Sequence, residues 1–390
     1  MWDVVIVGAG PGGAYLGYEL SRRGIKTLLL DKERFPRDKP CAGGLTPKVL
    51  KILPFDISDV IERKVMGARI SLSLSQSFSR FAKNPLIYTV RRDRFDKFIL
   101  DRACEAGAQL VEGFEAKGVC VEREYAEVFG DRESFRGRVV VGADGANSVI
   151  SKSFSLDKRF KKFMALKADI YLPESLMEEW NFAHIDIGIL GAGYAWIFPK
   201  RDHLSVGVGG PLKYVKFFKN YFERFINFSK LSKFPIKNIK SHPLSSRLKK
   251  TPLTFGRVLV LGDAGGFVNP YSGEGIYYAL YGAKKAATVI ERFLSGEGKL
   301  GDFEFEIEDM LREFKGANFL LRLLFLFPKT FFRLIKEFEV YWNVTYELLS
   351  SERSYEDVMK IIKRRPKFLF KILKESLFGG GYAEDRDSSG

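Results

Sequence analysis

Apolar residues fall in short unbroken runs at three places along the chain, and each run leads into glycine. Residues 4–7, 139–141 and 258–261 are such runs, the pattern of strands buried on both faces of a parallel sheet. The first breaks into Gly8-Ala9-Gly10-Pro11-Gly12-Gly13 and resumes with Leu16 and Leu20 at helical spacing, which predicts a strand, a tight turn and a helix. Residues 26–30 predict a second buried strand, ended by Asp31. Residues 32–45 carry prolines, charges and the pair Gly43-Gly44 and predict an irregular loop.

Elsewhere the period changes. Residues 69–74 alternate, and so do residues 164–210, where Ala183, Ile185, Ile187 and Ile189 share one face and His184, Asp186 and Gly188 the other. Sheet with two unlike faces is expected there. Strands are also expected near 108–122. Helical spacing predicts a helix opened by Asp93 as its cap, with Phe95, Phe98, Ile99 and Arg102 on neighbouring turns and Gly107 at its end. A helix rich in Phe and Lys is predicted over roughly 213–233. From 302 onward the pattern is helical, broken near Pro328 and Pro366, and from Gly379 it predicts disorder. The fold class is therefore α/β. A Rossmann-type nucleotide-binding domain is assembled from 1–65, 90–155 and 255–300. An inserted α+β substrate domain, mostly antiparallel sheet, comes from 66–89 and 156–254. A helical C-terminal region covers 301–378, and the tail is 379–390.

Composition changes this picture in two respects. Aromatic residues make up 14% of the 390, with 35 phenylalanines, enough for an extensive apolar interior or an apolar ligand. The formal net charge of +15 asks for an anionic partner or marks a surface with surplus lysine. No nucleic-acid motif accompanies the charge, and Lys and Arg are interleaved with Phe and Leu, which suits an anionic membrane surface. Phe331, Leu334, Ile335, Phe338, Tyr341 and Trp342 recur at helical spacing among Lys329, Arg333, Lys336 and Glu337. Such a stripe is expected to pack on the second domain and close a cavity there. The later basic stretch Lys360, Lys363, Arg364, Arg365, Lys367, Lys371 and Lys374, beside Phe368, Phe370 and Leu373, is expected to meet anionic lipid. There is no run of eighteen apolar residues to span a bilayer, and the first strand starts too early to leave room for a signal peptide. Cytoplasmic residence, with peripheral contact on the inner face of the cell membrane, is the expectation. Glutamine is scarce while Lys, Arg and Glu are plentiful, a thermophile signature.

The candidate chemistry starts at the first turn. Gly8-x-Gly10-x-x-Gly13 lets the chain turn tightly, lets backbone N–H groups approach a pyrophosphate and lets helix pack on strand. The positive end of the helix faces the phosphates, and Asp31 stands where a carboxylate accepts ribose hydroxyls. Cys41, Cys104 and Cys120 have no metal-ligand spacing and no disulfide framework; Cys104 and Cys120 are expected in the core. His184, His203 and His242 have no spaced ligand partners, so no metal site is expected.

Two further strand ends carry acids, Gly142-Ala143-Asp144-Gly145 and Leu261-Gly262-Asp263-Ala264. In this order, behind the glycine loop and Asp31, they resemble the flavoprotein monooxygenase superfamily of the p-hydroxybenzoate hydroxylase type, which binds FAD non-covalently. Lys39-Pro40-Cys41-Ala42-Gly43-Gly44 resembles the Cys-x-Gly-Gly loop of the geranylgeranyl reductases. Gly193-Tyr194-Ala195-Trp196-Ile197-Phe198-Pro199-Lys200 is similar to that family's Gly-Tyr-x-Trp-x-Phe-Pro-Lys signature, and Tyr271-Ser272-Gly273-Glu274-Gly275-Ile276 to its (bacterio)chlorophyll branch and archaeal relatives.

The resemblance implies the following roles. FAD is contacted at Gly8, Gly10, Gly13, Asp31, Cys41, Ala42, Gly44, Arg92, Asp263, Gly275 and Ile276, with Lys117 or Gly118 at the adenine end. Gly191, Tyr194, Trp196 and Phe198 line the isoprenoid cavity, and Cys41, Tyr194 and Trp196 stand at the reacting end. The implied activity is FAD-dependent saturation of C=C bonds in a geranylgeranyl chain, of a diphosphate or an archaeal-type phospholipid. Electrons would come from a ferredoxin or NAD(P)H. The alternatives are an aromatic hydroxylase or halogenase on the same fold, whose Trp-x-Trp-x-Ile-Pro signature differs from Tyr194-x-Trp196-x-Phe198-Pro199, and a non-catalytic flavoprotein at the membrane.

Overall fold

The computed structural model describes residues 1–188 and 193–364. Its architecture is α/β, as the hydrophobic periods predict, with two large sheets and a helical C-terminal region. The central strands of the first sheet, Val258–Val260, Ser134–Gly142, Trp2–Val7, Thr27–Asp31 and Gln109–Glu112, lie side by side and parallel. Val4, Val5, Ile6, Val139, Val140, Val141, Leu259 and Val260 are all 0% exposed. These are the unbroken apolar runs, and they are unbroken because helices cover both faces. Helices Pro11–Ser21, Arg92–Glu105 and Ile276–Leu294 complete this core.

The second sheet runs Ile236–Ser246, Lys161–Ile170, Leu204–Pro211, Tyr194–Pro199, Phe182–Ile187, Gly67–Leu72 and Gln76–Phe81. It is antiparallel except where Phe182–Ile187 pairs with Gly67–Leu72. Its two faces separate as the alternation requires. Ala195 and Ile197 meet helix Phe218–Phe228, which presents Phe218, Tyr221, Phe222, Phe225 and Ile226 at helical spacing. Ile185, Ile187 and Tyr194 meet the C-terminal helices through Leu324, Phe331 and Phe332. On the first face His184, Asp186, Ser71 and Tyr221 form a buried polar group: Ser71 Oγ donates to Asp186 Oδ2 at 2.6 Å and stands 2.9 Å from His184 Nε2, and Tyr221 donates to Asp186. Burial pushes the His184 imidazole down to about 3, so it stays neutral within this core.

Four local expectations are corrected. Asp93 is not the cap of its helix. Arg91 holds that position with no side-chain cap, and Asp93 lies in the first turn, where the Arg91 guanidinium takes its carboxylate at 2.8 Å. The Phe- and Lys-rich segment is a 3-10 turn, Leu212–Phe217, followed by an α-helix that ends at Phe228, because Lys230 turns left-handed (φ +59°). The stripe from Phe331 to Trp342 is not one helix. Pro328–Glu337 and Glu339–Ser350 are separated at Phe338, which is extended and 50% exposed, while Phe332 and Trp342 are buried. Cys104 and Cys120 are exposed rather than core residues. Helix Arg92–Glu105 turns Phe95, Ile99 and Ala103 inward, so Cys104 faces out, and Cys120 sits on the outer side of strand Gly118–Val121. The break at Pro328 is as expected: it opens its helix at the first position, where no amide hydrogen is needed. Pro366 and the basic residues from Arg365 onward lie outside the described residues, as do those from Gly379.

Candidate functional site

Because strand Trp2–Val7 runs parallel to its neighbours on both sides, its carboxyl end, Asp31 and Gly142 open on one edge of the sheet. Gly8 (φ +101°) turns the chain there, and Gly10 precedes helix Pro11–Ser21, which has no side-chain cap and no acid in its first turn. The positive end of that helix is thus left for an anion. Gly13 is fixed by space: a Cβ there would stand 1.9 Å from the Gly8 carbonyl oxygen. Asp31 accepts from the backbone N–H groups of Ala9 at 2.8 Å and Glu33 at 2.9 Å. It braces the loop and keeps lone pairs for a further donor.

A nest of cations faces this loop. Arg92, at the start of its helix, donates from Nε and Nη2 to the two oxygens of Asp96, each at 2.7 Å. Arg37 Nη1 stands 3.1 Å from Asp96 Oδ2, paired ionically but off the line of a hydrogen bond. Asp96 is 0% exposed, so two guanidinium groups share one buried carboxylate and one positive charge is left over. Arg37 Nη2 lies 3.3 Å from where a Cβ of Gly10 would be, beside the uncapped helix end. Lys39 joins them; burial lowers its pKa, Asp263 opposes that, and Arg92 and Arg37 add to it. His242, pushed down to about 3 by burial and then by Lys39, Arg92 and Arg37, adds no charge. Arg37 escaped the sequence reading because a lone arginine in a charged loop carries no local signal.

Asp263 sits in the turn Gly262–Gly265 after strand Val258–Val260. Its carboxylate accepts no side-chain hydrogen bond from any described residue. Burial raises its pKa, against Lys39 and Arg92. Gly275 precedes helix Ile276–Leu294, and a Cβ on it would stand 3.2 Å from Asp263 Oδ1. An orphaned carboxylate before a helix N-terminus suits a ligand hydroxyl. Together with the surplus positive charge at the glycine loop, it fits a molecule carrying both a pyrophosphate and a polyol, as FAD does.

The remaining predicted residues converge beside this line. The Cys41 Sγ accepts from Gly43 N at 3.3 Å, and it interacts with the Arg92 guanidinium on one side and the Tyr194 hydroxyl and Lys200 ammonium on others. Gly43 is left-handed (φ +63°), and a Cβ there would stand 2.2 Å from Val90 O and 2.7 Å from Lys200 Nζ. Lys200 is 3% exposed and donates to Gly43 O at 3.1 Å and Val90 O at 2.8 Å. Burial pushes it down to about 7, with Cys41 pulling the other way. Phe198 packs over Gly44. Tyr194 donates to Ser272 O at 2.7 Å, joining the aromatic strand to the Gly273-Glu274-Gly275 turn. Trp196 stacks edge-on against Tyr194, and its indole Nε1 is a buried donor without a partner among the described residues.

Lys200 ends the Gly193–Lys200 signature, and its role is not visible in the sequence because its acceptors are backbone carbonyls remote along the chain. Ala42 sits in the same loop as Cys41. Gly118 lies on the side arm of strands Gly118–Val121 and Ala126–Phe129, against the Phe129 ring, and Lys117 pairs with Glu115 at its edge. Gly191 lies outside the described residues. Among the described residues no group of His, Cys, Asp and Glu could hold a metal ion.

Comparison with known proteins gives this geometry its context. Residues 1–183 match the FAD binding domain family. An uncharacterised protein of Methanosarcina barkeri is 33% identical over 78% of this chain and 77% of its own length. The digeranylgeranylglycerophospholipid reductase of Methanocaldococcus jannaschii is 29% identical over 81% of each chain. Among solved structures, a geranylgeranyl bacteriochlorophyll reductase-like protein of Thermoplasma acidophilum superposes with a TM-score of 0.72 over 97% of both chains at 24% identity, a likeness of fold. The cofactor is FAD.

Proposed function

The chain belongs to the geranylgeranyl reductase family of FAD-dependent oxidoreductases, and from that premise we propose that it saturates C=C bonds of an isoprenoid chain. The substrate class is a geranylgeranyl diphosphate or a geranylgeranylated glycerophospholipid. The observation that carries this reading is the convergence of three stretches on one point. The Cys41–Gly44 loop is clamped by Lys200 and Phe198, and the same strand reaches Ser272 through Tyr194.

In this reading the glycine loop, Arg37, Arg92 and Lys39 hold the pyrophosphate of FAD, Asp31 its ribose and Asp263 its ribityl chain. Gly44, Gly275 and Ile276 border the flavin ring. When bound and reduced, FAD would supply the hydride for one alkene carbon, and a proton would be added to the other. An isolated alkene is a poor hydride acceptor, so the protein must position both carbons and exclude water. Tyr194 and Trp196 form one wall, continued by Ile185 and Ile187 and faced by Leu324 and Phe332. Cys41 stands where this apolar layer meets the cations and borders the reacting alkene. The electron donor is a ferredoxin or a reduced nicotinamide.

Three measurements bear on this. Protein reduced anaerobically should be reoxidised on mixing with geranylgeranyl diphosphate. Reoxidation that instead needs oxygen with a phenol or halide would favour a hydroxylase or halogenase. Asp263→Ala removes a charge-assisted acceptor and should weaken FAD binding by about 1.5–3 kcal/mol; unchanged affinity in a flavin titration would misplace the ribityl contact. Cys41→Ser is nearly isosteric, so flavin content should persist while alkene reduction falls; unchanged turnover would reduce Cys41 to a structural role.

A further inference from the structure

A second surface lies at the end of the seven-stranded sheet where strands Leu204–Pro211 and Phe182–Ile187 finish. The 3-10 turn Leu212–Phe217 emerges there with Leu212 41%, Val215 43% and Phe217 50% exposed. Leu212 and Val215, three apart, share one edge of such a turn. Lys213 and Lys216, both exposed, alternate with them. Helix Glu308–Leu326 ends at the same end of the sheet, where a Cβ on Gly188, just past strand Phe182–Ile187, would stand 3.6 Å from Pro328 Cβ, and Leu326 is 68% exposed one turn after the exposed Arg322. Lys161, half-buried, begins the strand whose Phe163 pairs with Pro211 just before the turn, which adds a further cation at this end; burial lowers its pKa, and the charges of Arg322 and Lys213 lower it further. No acidic residue occurs between His203 and Phe222 or between Phe314 and Lys336.

We propose that this end of the molecule, the turn Leu212–Phe217 with the adjoining end of helix Glu308–Leu326, docks on an anionic lipid bilayer. Apolar side chains standing among unneutralised cations match an interface in which the apolar groups enter the acyl boundary and the cations meet headgroup phosphates. A second copy of the chain would set the same cations against one another, so self-association through this face is disfavoured. No described helix is long and apolar enough to cross a membrane, so the contact is peripheral. The proposal does not depend on the reductase reading, and its test uses no turnover.

The test is co-sedimentation of the full-length flavoprotein with vesicles of phosphatidylcholine alone or mixed with phosphatidylglycerol, at low and high salt. Binding is expected to the mixed vesicles only and to fall with salt. Lys213→Gln and Arg322→Gln should each weaken it roughly fivefold, and the pair Val215→Ser/Phe217→Ser should weaken it at both salt concentrations. These positions are exposed, so thermal midpoint and flavin content should match the parent. A variant with Lys367, Lys371 and Lys374 changed to Gln separates this face from the basic stretch later in the chain. The proposal is overturned if the four surface changes leave binding intact, if only the Lys367/Lys371/Lys374 variant loses it, or if neither kind of vesicle is bound. A concentration-dependent dimer that these surface changes abolish would assign the face to a second copy and overturn it equally.

Discussion

Gly13→Ala is expected to give a protein that no longer retains FAD. The added methyl would lie 1.9 Å from the Gly8 carbonyl oxygen, well inside contact distance, and its neighbour there is backbone that no rotamer change can move. The start of helix Pro11–Ser21 must withdraw from strand Trp2–Val7, taking its amide groups away from the pyrophosphate. Losing charge-assisted hydrogen bonds worth about 1.5–3 kcal/mol each should weaken FAD by a hundredfold or more, on the order of 3 kcal/mol. The absorbance spectrum after gel filtration reads this directly. A variant that elutes yellow with the parent's flavin content would contradict the placement of the phosphates at this loop.

Lys200→Met should cost nearly as much by a different route. It removes the donor to Val90 O and one of the two donors to Gly43 O, which keeps the backbone N–H of Val90 at 2.8 Å, and a buried carbonyl that loses its partner costs about 1–3 kcal/mol. The Cys41 loop should loosen and turnover fall, while Lys200→Arg, which keeps a donor but not the fit, should recover little. The parent also carries a pH signature. Lys200 is pushed down to about 7 when folded, against roughly 10.4 when unfolded. Between those values the unfolded chain holds a proton that the folded chain lacks. Stability therefore rises with pH, by up to about 1.4 kcal/mol per pH unit, and this contribution flattens below pH 7. Denaturant titrations across that window should show the slope in the parent and not in Lys200→Met. An identical slope in both would mean that another group titrates.

Most of the nucleotide-binding architecture was legible because its signals are local. Unbroken valine runs, a glycine turn and an acid at the next strand end sit within the first few dozen residues, and alternation told apart the two faces of the second sheet down to His184 and Asp186. What was illegible depends on contacts remote in sequence. Arg37 matters because Asp96 brings it against Arg92, and Lys200 because it reaches the carbonyls of Gly43 and Val90. The Asp93 cap failed to a competing local pair, since Arg91 took the carboxylate. The long stripe near Phe338 kept helical spacing across a break, which periodicity alone cannot register. Cys104 and Cys120 lie in helical and strand patterns that point to the core, yet they occupy the outward faces of that helix and strand.

The central claim is the saturation of an isoprenoid C=C bond, and the mass of the lipid product tests it most directly. The flavoprotein, reduced by dithionite without oxygen, would be incubated with a geranylgeranylated glycerophospholipid and the extracted lipid weighed by mass spectrometry. The account predicts a gain of one H2 for each double bond reduced, with no added oxygen or halogen, and little gain with Cys41→Ser. Lipid recovered at its starting mass, or heavier by oxygen once air is admitted, would contradict it.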